Sequence, residues 1–189
     1  EMGMYASYSY LGLVGHPRIN EAAKKAVDKF GTGTNGVRML AGTLTLHKEL
    51  EETIANFKHA EAAVTYSSGY VTNLTVISSL MGRGDYVFSD KLNHASIVDG
   101  CLMSGAEFRR FRHNDMEHLE GLLKNAPADV TKMVIADSVF SMDGDIIDLP
   151  KVLELTKKYN AWLMIDEAHS VGVLGKTGTG IEEHFGLGD

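Results

Sequence analysis

The stretch WLMIDEAHSVGVLGKTGTG, Trp162 to Gly180, joins an apolar run, an acid and a glycine-rich tail. Two readings compete for it. Asp166-Glu167-Ala168-His169 spells the carboxylate box of one helicase class, and Gly175-Lys176-Thr177 matches the end of a nucleotide phosphate loop. Such a loop needs a glycine, four residues, then Gly-Lys-Ser/Thr, because its backbone amides wrap the phosphates. Ser170 occupies the place of the first glycine, and the carboxylate box precedes the loop instead of following it. The motor reading therefore fails. What remains is an apolar strand, Trp162 to Ile165, ending in Asp166, then a glycine-rich turn and a helix over Ile181 to Phe185. Alternation along a strand sends Asp166 and Glu167 to opposite faces, so the two are not expected to act as a carboxylate dyad.

The same strand-then-helix grammar repeats upstream. Further strands are expected at Ala62 to Tyr66, Tyr86 to Phe88, Glu107 to Phe111 and Met133 to Val139. Helical periodicity covers Pro17 to Phe30, where Ile19, Ala22, Ala23, Ala26, Val27 and Phe30 share a stripe, and Gly31 supplies a stop. Leu46, Leu50, Ile54 and Phe57 mark a second helix. Others fall at Tyr70 to Met81, Ala95 to Met103, Met116 to Lys124 and Leu149 to Tyr159. Asn114 or Asp115 caps the third of these four, and Asp148 caps the last, just before Pro150. Strands separated by helix-length segments need crossover connections. The expected fold is therefore α/β, a three-layer sandwich with a mostly parallel sheet, whose ligands sit outside the carboxyl ends of its strands.

Composition narrows the function classes. The 189 residues are 44% apolar and 23% charged, the balance of a soluble globular protein, and the net charge of −7 disfavours a nucleic-acid or anionic-membrane surface. A single cysteine, Cys101, cannot form an internal disulfide, and no apolar run is long enough to span a membrane. No leader pattern opens the chain, so a cytoplasmic location is expected. A first residue of Glu1 in place of methionine is expected of a processed or excised piece.

Three constellations follow expected strands. Ser67-Ser68-Gly69-Tyr70 opens a helix with small residues, which lets backbone N–H groups approach an anion. Asn93-His94-Ala95-Ser96 opens another helix, and Ser138 to Asp145 closes the strand from Met133. Each alone reads as an ordinary turn or cap. Together with Asp166 they can converge on one rim, giving an anion seat, a flat imidazole, a hydroxyl and a carboxylate. A heteroaromatic phosphate would use every one of them. No metal-ligating set is assigned.

Ser-Gly-Tyr, Asn-His-Ala-Ser-Ile, Phe-Ser-Met-Asp-Gly-Asp and Asp-Glu-Ala-His-Ser, in that order, resemble the α-oxoamine synthases, fold type I enzymes that use pyridoxal 5′-phosphate (PLP). The resemblance runs from Tyr10-Leu11-Gly12-Leu13 through Gly31-Thr32-Gly33, Arg38, Gly42-Thr43 and His47-Lys48-Glu49-Leu50-Glu51 to Gly178-Thr179-Gly180. It implies a PLP-dependent acyltransferase that condenses an amino acid with an acyl-CoA or acyl-carrier-protein thioester, with decarboxylation, to an α-amino ketone. It also implies roles. Asp166 pairs with the pyridine nitrogen, His94 stacks on the ring, His169 reaches the phenolic oxygen with Ser141 near the same edge, and Gly69 and Tyr70 contact the phosphate end. His94, Asp166 and His169 are the implied catalytic set.

The family's PLP-binding lysine lies in a Ser/Thr-Lys motif beyond the Asp-Glu-Ala-His segment. After Asp166 the only lysine here is Lys176, which follows a glycine. Residues 1–189 are therefore expected to be part of the PLP-binding large domain, without the lysine segment or the small C-terminal domain, and inactive alone. A homodimer is implied for the whole protein. A noncatalytic partner subunit of the same family, or a PLP aminotransferase, remains as an alternative. Glycine, alanine and serine stay open as the amino acid.

Overall fold

The computed structural model describes Gly3 and residues 7–187, so the chain's ends at Glu1 and Asp189 lie outside the described residues. It divides into two compact units, Glu1–Thr65 and Tyr66–Asp189.

The first unit holds α1 (Pro17–Phe30) and α2 (Thr45–Phe57). α1 begins and ends where its stripe does: His16 Nδ1 accepts the Arg18 N–H, Pro17 fills the first turn, and Gly31 closes it with φ 82°. Its apolar stripe buries nothing within the unit, with Ile19 and Val27 about half exposed. The turn before α2 folds back so tightly that a Cβ on Gly42 would lie 1.9 Å from the Gly36 carbonyl oxygen, a place only glycine can occupy.

The first unit is tied by one acid. Arg38 grips Glu51 through two parallel bonds, Nη1 to Oε1 at 2.5 Å and Nη2 to Oε2 at 3.0 Å. Glu51 Oε1 also accepts the Thr65 backbone N–H at 2.8 Å and its hydroxyl at 2.9 Å. Here the expected strand from Ala62 to Tyr66 is corrected. The segment pairs with no strand among the described residues, and the Thr65 donor that a ladder would use is spent on a side chain. The Arg38 hydrogen bonds, with those of Thr65, pull the Glu51 carboxyl down to about 2. A depressed carboxylate stabilises above its ordinary titration range, and that contribution is lost as pH falls through the folded value. Acid titration of the protein is thus expected to loosen α2 between pH 4.5 and about 2, and Glu51→Gln to flatten that limb. An acid limb unchanged by the substitution would contradict the tie.

In the second unit α3 (Gly69–Leu80), β1 (Tyr86–Asp90), α4 (Ala95–Ser104), β2 (Glu107–Phe111), α5 (Met116–Asn125), β3 (Lys132–Asp137), α6 (Leu149–Lys158), β4 (Trp162–Asp166) and α7 (Ile181–His184) follow in order. The four strands are all parallel, arranged β2-β1-β3-β4. Alternation along them divides the core. Val87, Met133 and Ile135 pack with Ile77 and Met81 from the α3 side and Ile97 and Cys101 of α4. Phe88, Val134 and Ala136 pack with Leu119 and Leu123 of α5, Val152 and Leu155 of α6, and Ile181 of α7. The sheet lies between two helical layers, as expected.

The connections explain which helix goes where. β1 to β2 runs one way across the sheet, and β2 to β3 to β4 runs back. Right-handed crossovers then place α4 on one face and α5 and α6 on the other. Asp115 and Asp148 cap α5 and α6 with their carboxylates. Strand boundaries differ from expectation at three strands: β1 runs on to Asp90, β4 takes in Asp166, and β3 begins at Lys132. β3 stops at Asp137, and Val139 instead bridges back to Ile146 in antiparallel sense, because the chain turns there into the loop over the rim.

Candidate active site

β1, β3 and β4 each end on an acid: Asp90, Asp137 and Asp166. The sheet order reverses direction between β1 and β3, and in open parallel sheets the crevice at such a switch point is where ligands bind. His94 caps α4 immediately after β1. Its Nδ1 lies 2.7 Å from Ser96 Oγ, which accepts from Asn73 Nδ2 at 2.9 Å. The same amide nitrogen donates to Asp166 Oδ2 at 2.7 Å. A continuous line His94–Ser96–Asn73–Asp166 thus runs across α4, α3 and β4. The other Asp166 oxygen accepts the Ala168 N–H at 2.9 Å, so the carboxylate is held at both ends.

Tyr70 and Gly69 stand beside this line at the start of α3. The Tyr70 ring meets the His94 ring edge-on, centroids 6.3 Å apart, and its hydroxyl donates to the Asp99 carboxylate. Ser68 Oγ accepts the Val71 N–H, and the Ser68 carbonyl takes that of Thr72. The amides of Gly69 and Tyr70 come before the first intrahelical donors and point off the helix end. Nothing lies within 4 Å of where a Gly69 Cβ would be. The expected strand before this turn is absent, but the turn itself forms.

Two of the singled-out residues stand in turns. His169 sits half-buried in the turn after β4, and Ser141 is exposed in the turn at 141–143. The loop carrying Ser141 is pinned from below. His113 lies between Asp90 Oδ1 at 3.0 Å and Asp145 Oδ2 at 2.6 Å, with its ring edge-on to Phe140. Burial opposes charge on this imidazole, but the two carboxylates outweigh it and raise its pKa.

The glycine-rich tail behaves as a turn. Glu183 accepts the backbone N–H groups of Thr177 and Thr179 and both their hydroxyls, so the protein's own carboxylate takes the donors a phosphate would need. Glu167 is occupied elsewhere, accepting from Ser170 Oγ at 2.6 Å and the Ile181 N–H at 2.8 Å. Asp166 and Glu167 are not a dyad.

Asn73, Ser96 and Asp137 were not assigned from sequence. Asn73 left one signal: the single amide in a helix whose other side chains are apolar, aromatic or hydroxyl, GYVTNLTVISSL. Nothing local says what that amide meets.

The sequence pattern of the aminotransferase class I and II family matches residues 5–187. The chain belongs to the aminotransferase class I and II family. Among relatives, 8-amino-7-oxononanoate synthase 1 of Bacillus velezensis is 50% identical over 182 residues, 96% of this chain and 46% of that protein. The 8-amino-7-oxononanoate synthase of Geobacter sulfurreducens is 50% identical over 185 residues, 98% of this chain and 47% of its own. A serine palmitoyltransferase from S. paucimobilis, solved with a PLP–myriocin adduct, superposes with a TM-score of 0.94 at 43% identity, over 97% of this chain and 47% of that one. The chain spans about half the length of these proteins. These aminotransferase-family enzymes depend on PLP, and the rim suits that group chemically. A plane-presenting imidazole, a fixed carboxylate and a helix N-terminus beside an open Gly69 match a pyridinium ring carrying a phosphate.

Proposed function

We propose that the intact protein is a PLP-dependent C-acyltransferase of the α-oxoamine synthase type, joining an amino acid to an acyl-CoA or acyl-carrier-protein thioester with loss of carboxylate. The observation that carries this reading is the line His94–Ser96–Asn73–Asp166, found in a chain half identical to oxononanoate synthases. PLP, when bound, supplies the electron sink for negative charge at the amino acid's α-carbon.

The chain's own residues hold and tune that group. Asp166 places a carboxylate where a protonated ring nitrogen would be stabilised, and Asn73 with the Ala168 amide fixes its orientation. His94 offers its imidazole to the ring face, with its own rotamer locked through Ser96 and its edge closed by Tyr70. The amides at the start of α3 would hold the phosphate. His169, three residues after Asp166, is assigned the phenolic oxygen, with Ser141 at the same edge.

The greater length of the relatives supports reading residues 1–189 as part of the PLP-binding large domain, with the PLP-binding lysine and a small C-terminal domain supplied by further sequence. A cytoplasmic homodimer belongs to the same proposal. No helix among the described residues is long and apolar enough to cross a membrane. The test is the intact mass of the purified protein with PLP, before and after borohydride reduction. One adduct fixed by reduction is expected, followed by carbon dioxide release from an amino acid only when an acyl thioester is present. A protein that takes up no PLP favours a noncatalytic partner subunit, and amino transfer without an acyl donor favours an aminotransferase; either overturns the reading.

A further inference from the structure

Asp137 is the middle of the three strand-end acids, with β1 and Asp90 on one side and β4 and Asp166 on the other. It is 4% exposed, and its Cα is in register with that of Asp166. Its neighbours are well supplied with donors. Asp166 has Asn73 and the Ala168 amide, and Asp90 has His113 and the amides of Leu92 and Asn114. Among the described residues Asp137 has one: its Oδ2 accepts the His94 backbone N–H at 3.1 Å, while its Oδ1 is buried and meets no hydrogen-bond partner among them.

The charged groups that act on Asp137 are Asp166 from β4 and Asp90 from β1, both acids. From the start of α4 it meets His94, through the neutral backbone amide, and Asn93 contributes only an oxygen that accepts the Asp137 N–H. Adjacent carboxylates in a buried site do not all ionise together, and the one with the fewest donors gives way first. We propose that Asp137 is a positioning residue that works with its carboxyl protonated, holding the His94 amide while the negative charge of the β3–β4 pair stays on Asp166. The part played in PLP binding rests on the function proposed above; the protonation itself does not.

The consequence is a division of labour at the rim. Asp166 is left as the partner for a pyridinium, and His94 is steadied from its backbone by a neutral group. Burial first, then Asp166, drives the Asp137 carboxyl up to about 7, against the His94 amide, which favours ionisation. The folded protein therefore binds a proton that the unfolded chain releases in the ordinary aspartate range, and stability falls as pH rises from there through about 7.

The experiment uses the intact protein freed of PLP. Isotope-edited infrared spectra of aspartate carboxyls, taken from about pH 5 to about pH 9, are expected to show a protonated carboxyl that is lost near neutrality. Asp137→Asn should abolish it, and Asp166→Asn should move its midpoint down. The falling limb of stability should vanish in Asp137→Asn, and so should the neutral inflection in a plot of PLP affinity against pH. Absence of the band in the wild type above the ordinary range, its survival in Asp137→Asn, or an unmoved midpoint in Asp166→Asn overturns the inference. Failure of PLP uptake with the band intact would sink the proposed function and leave the proton on Asp137 standing.

Discussion

Replacing Asp166 with asparagine in the intact protein is expected to leave PLP bound and to lower kcat by on the order of 10²–10³-fold. Asparagine has nearly the shape of aspartate, and its side-chain oxygen can still accept from Asn73 or from the Ala168 amide. The strand, the turn and the other contacts to PLP are untouched, so thermal stability and cofactor content should change little. What disappears is the charge. A neutral amide no longer favours the protonated ring, and the ring's capacity to accept electron density falls with it. Absorbance of the bound cofactor and steady-state turnover separate the two effects. Turnover equal to that of the wild type would remove Asp166 from its assigned role.

Gly100→Val is expected to cost about 1–3 kcal/mol of stability and to impair the site from a distance. Glycine inside a helix is intrinsically unfavourable, so this one has a tertiary reason. A Cβ at position 100 would lie 3.0 Å from the Asn73 carbonyl oxygen and 3.0 Å from Ile77 Cδ1, with Ile77 Cβ at 3.2 Å. α3 and α4 therefore meet backbone to backbone at this point, and α4 has no slack there. Alanine needs the helices to part by a few tenths of an ångström; valine adds two methyl groups and a fixed rotamer. Moving α3 moves Asn73, and with it the bond that steadies Asp166. Denaturant midpoints should fall in the order wild type, Gly100→Ala, Gly100→Val, with PLP affinity falling in parallel. A valine variant as stable as the wild type would mean that the helices do not pack as closely as the structure places them.

Much of the architecture was legible because its signals are local. α1 carries its own stripe, proline and glycine stop, and it forms over Pro17–Phe30 as read. Three strands of the sheet, β1, β3 and β4, carry short apolar runs bounded by turns, and the more polar Glu107–Phe111 forms to the residue. Ala62 to Tyr66 has the same composition and is not a strand, because a strand is defined by what pairs with it. There the Glu51 side chain, fourteen positions away along the chain, takes the Thr65 donor. Of the site, His94 and Asp166 stood out as polar residues at the ends of strands and the start of a helix. Asn73 did not, since its only mark was being the single amide in its helix.

The sequence by itself determined the fold class, the order of elements and the residue types offered at the rim. These follow from periodicity, capping and turn chemistry, which act over a few residues. Only the tertiary structure decided which of those residues meet. Asn73 and Asp166 lie 93 positions apart and touch because α3 packs against α4 at Gly100 while β4 lies beside β3. The state of Asp137 was decided in the same way. An aspartate ionises readily in water; burial between two other acids, with one amide for company, is a property of the assembled sheet.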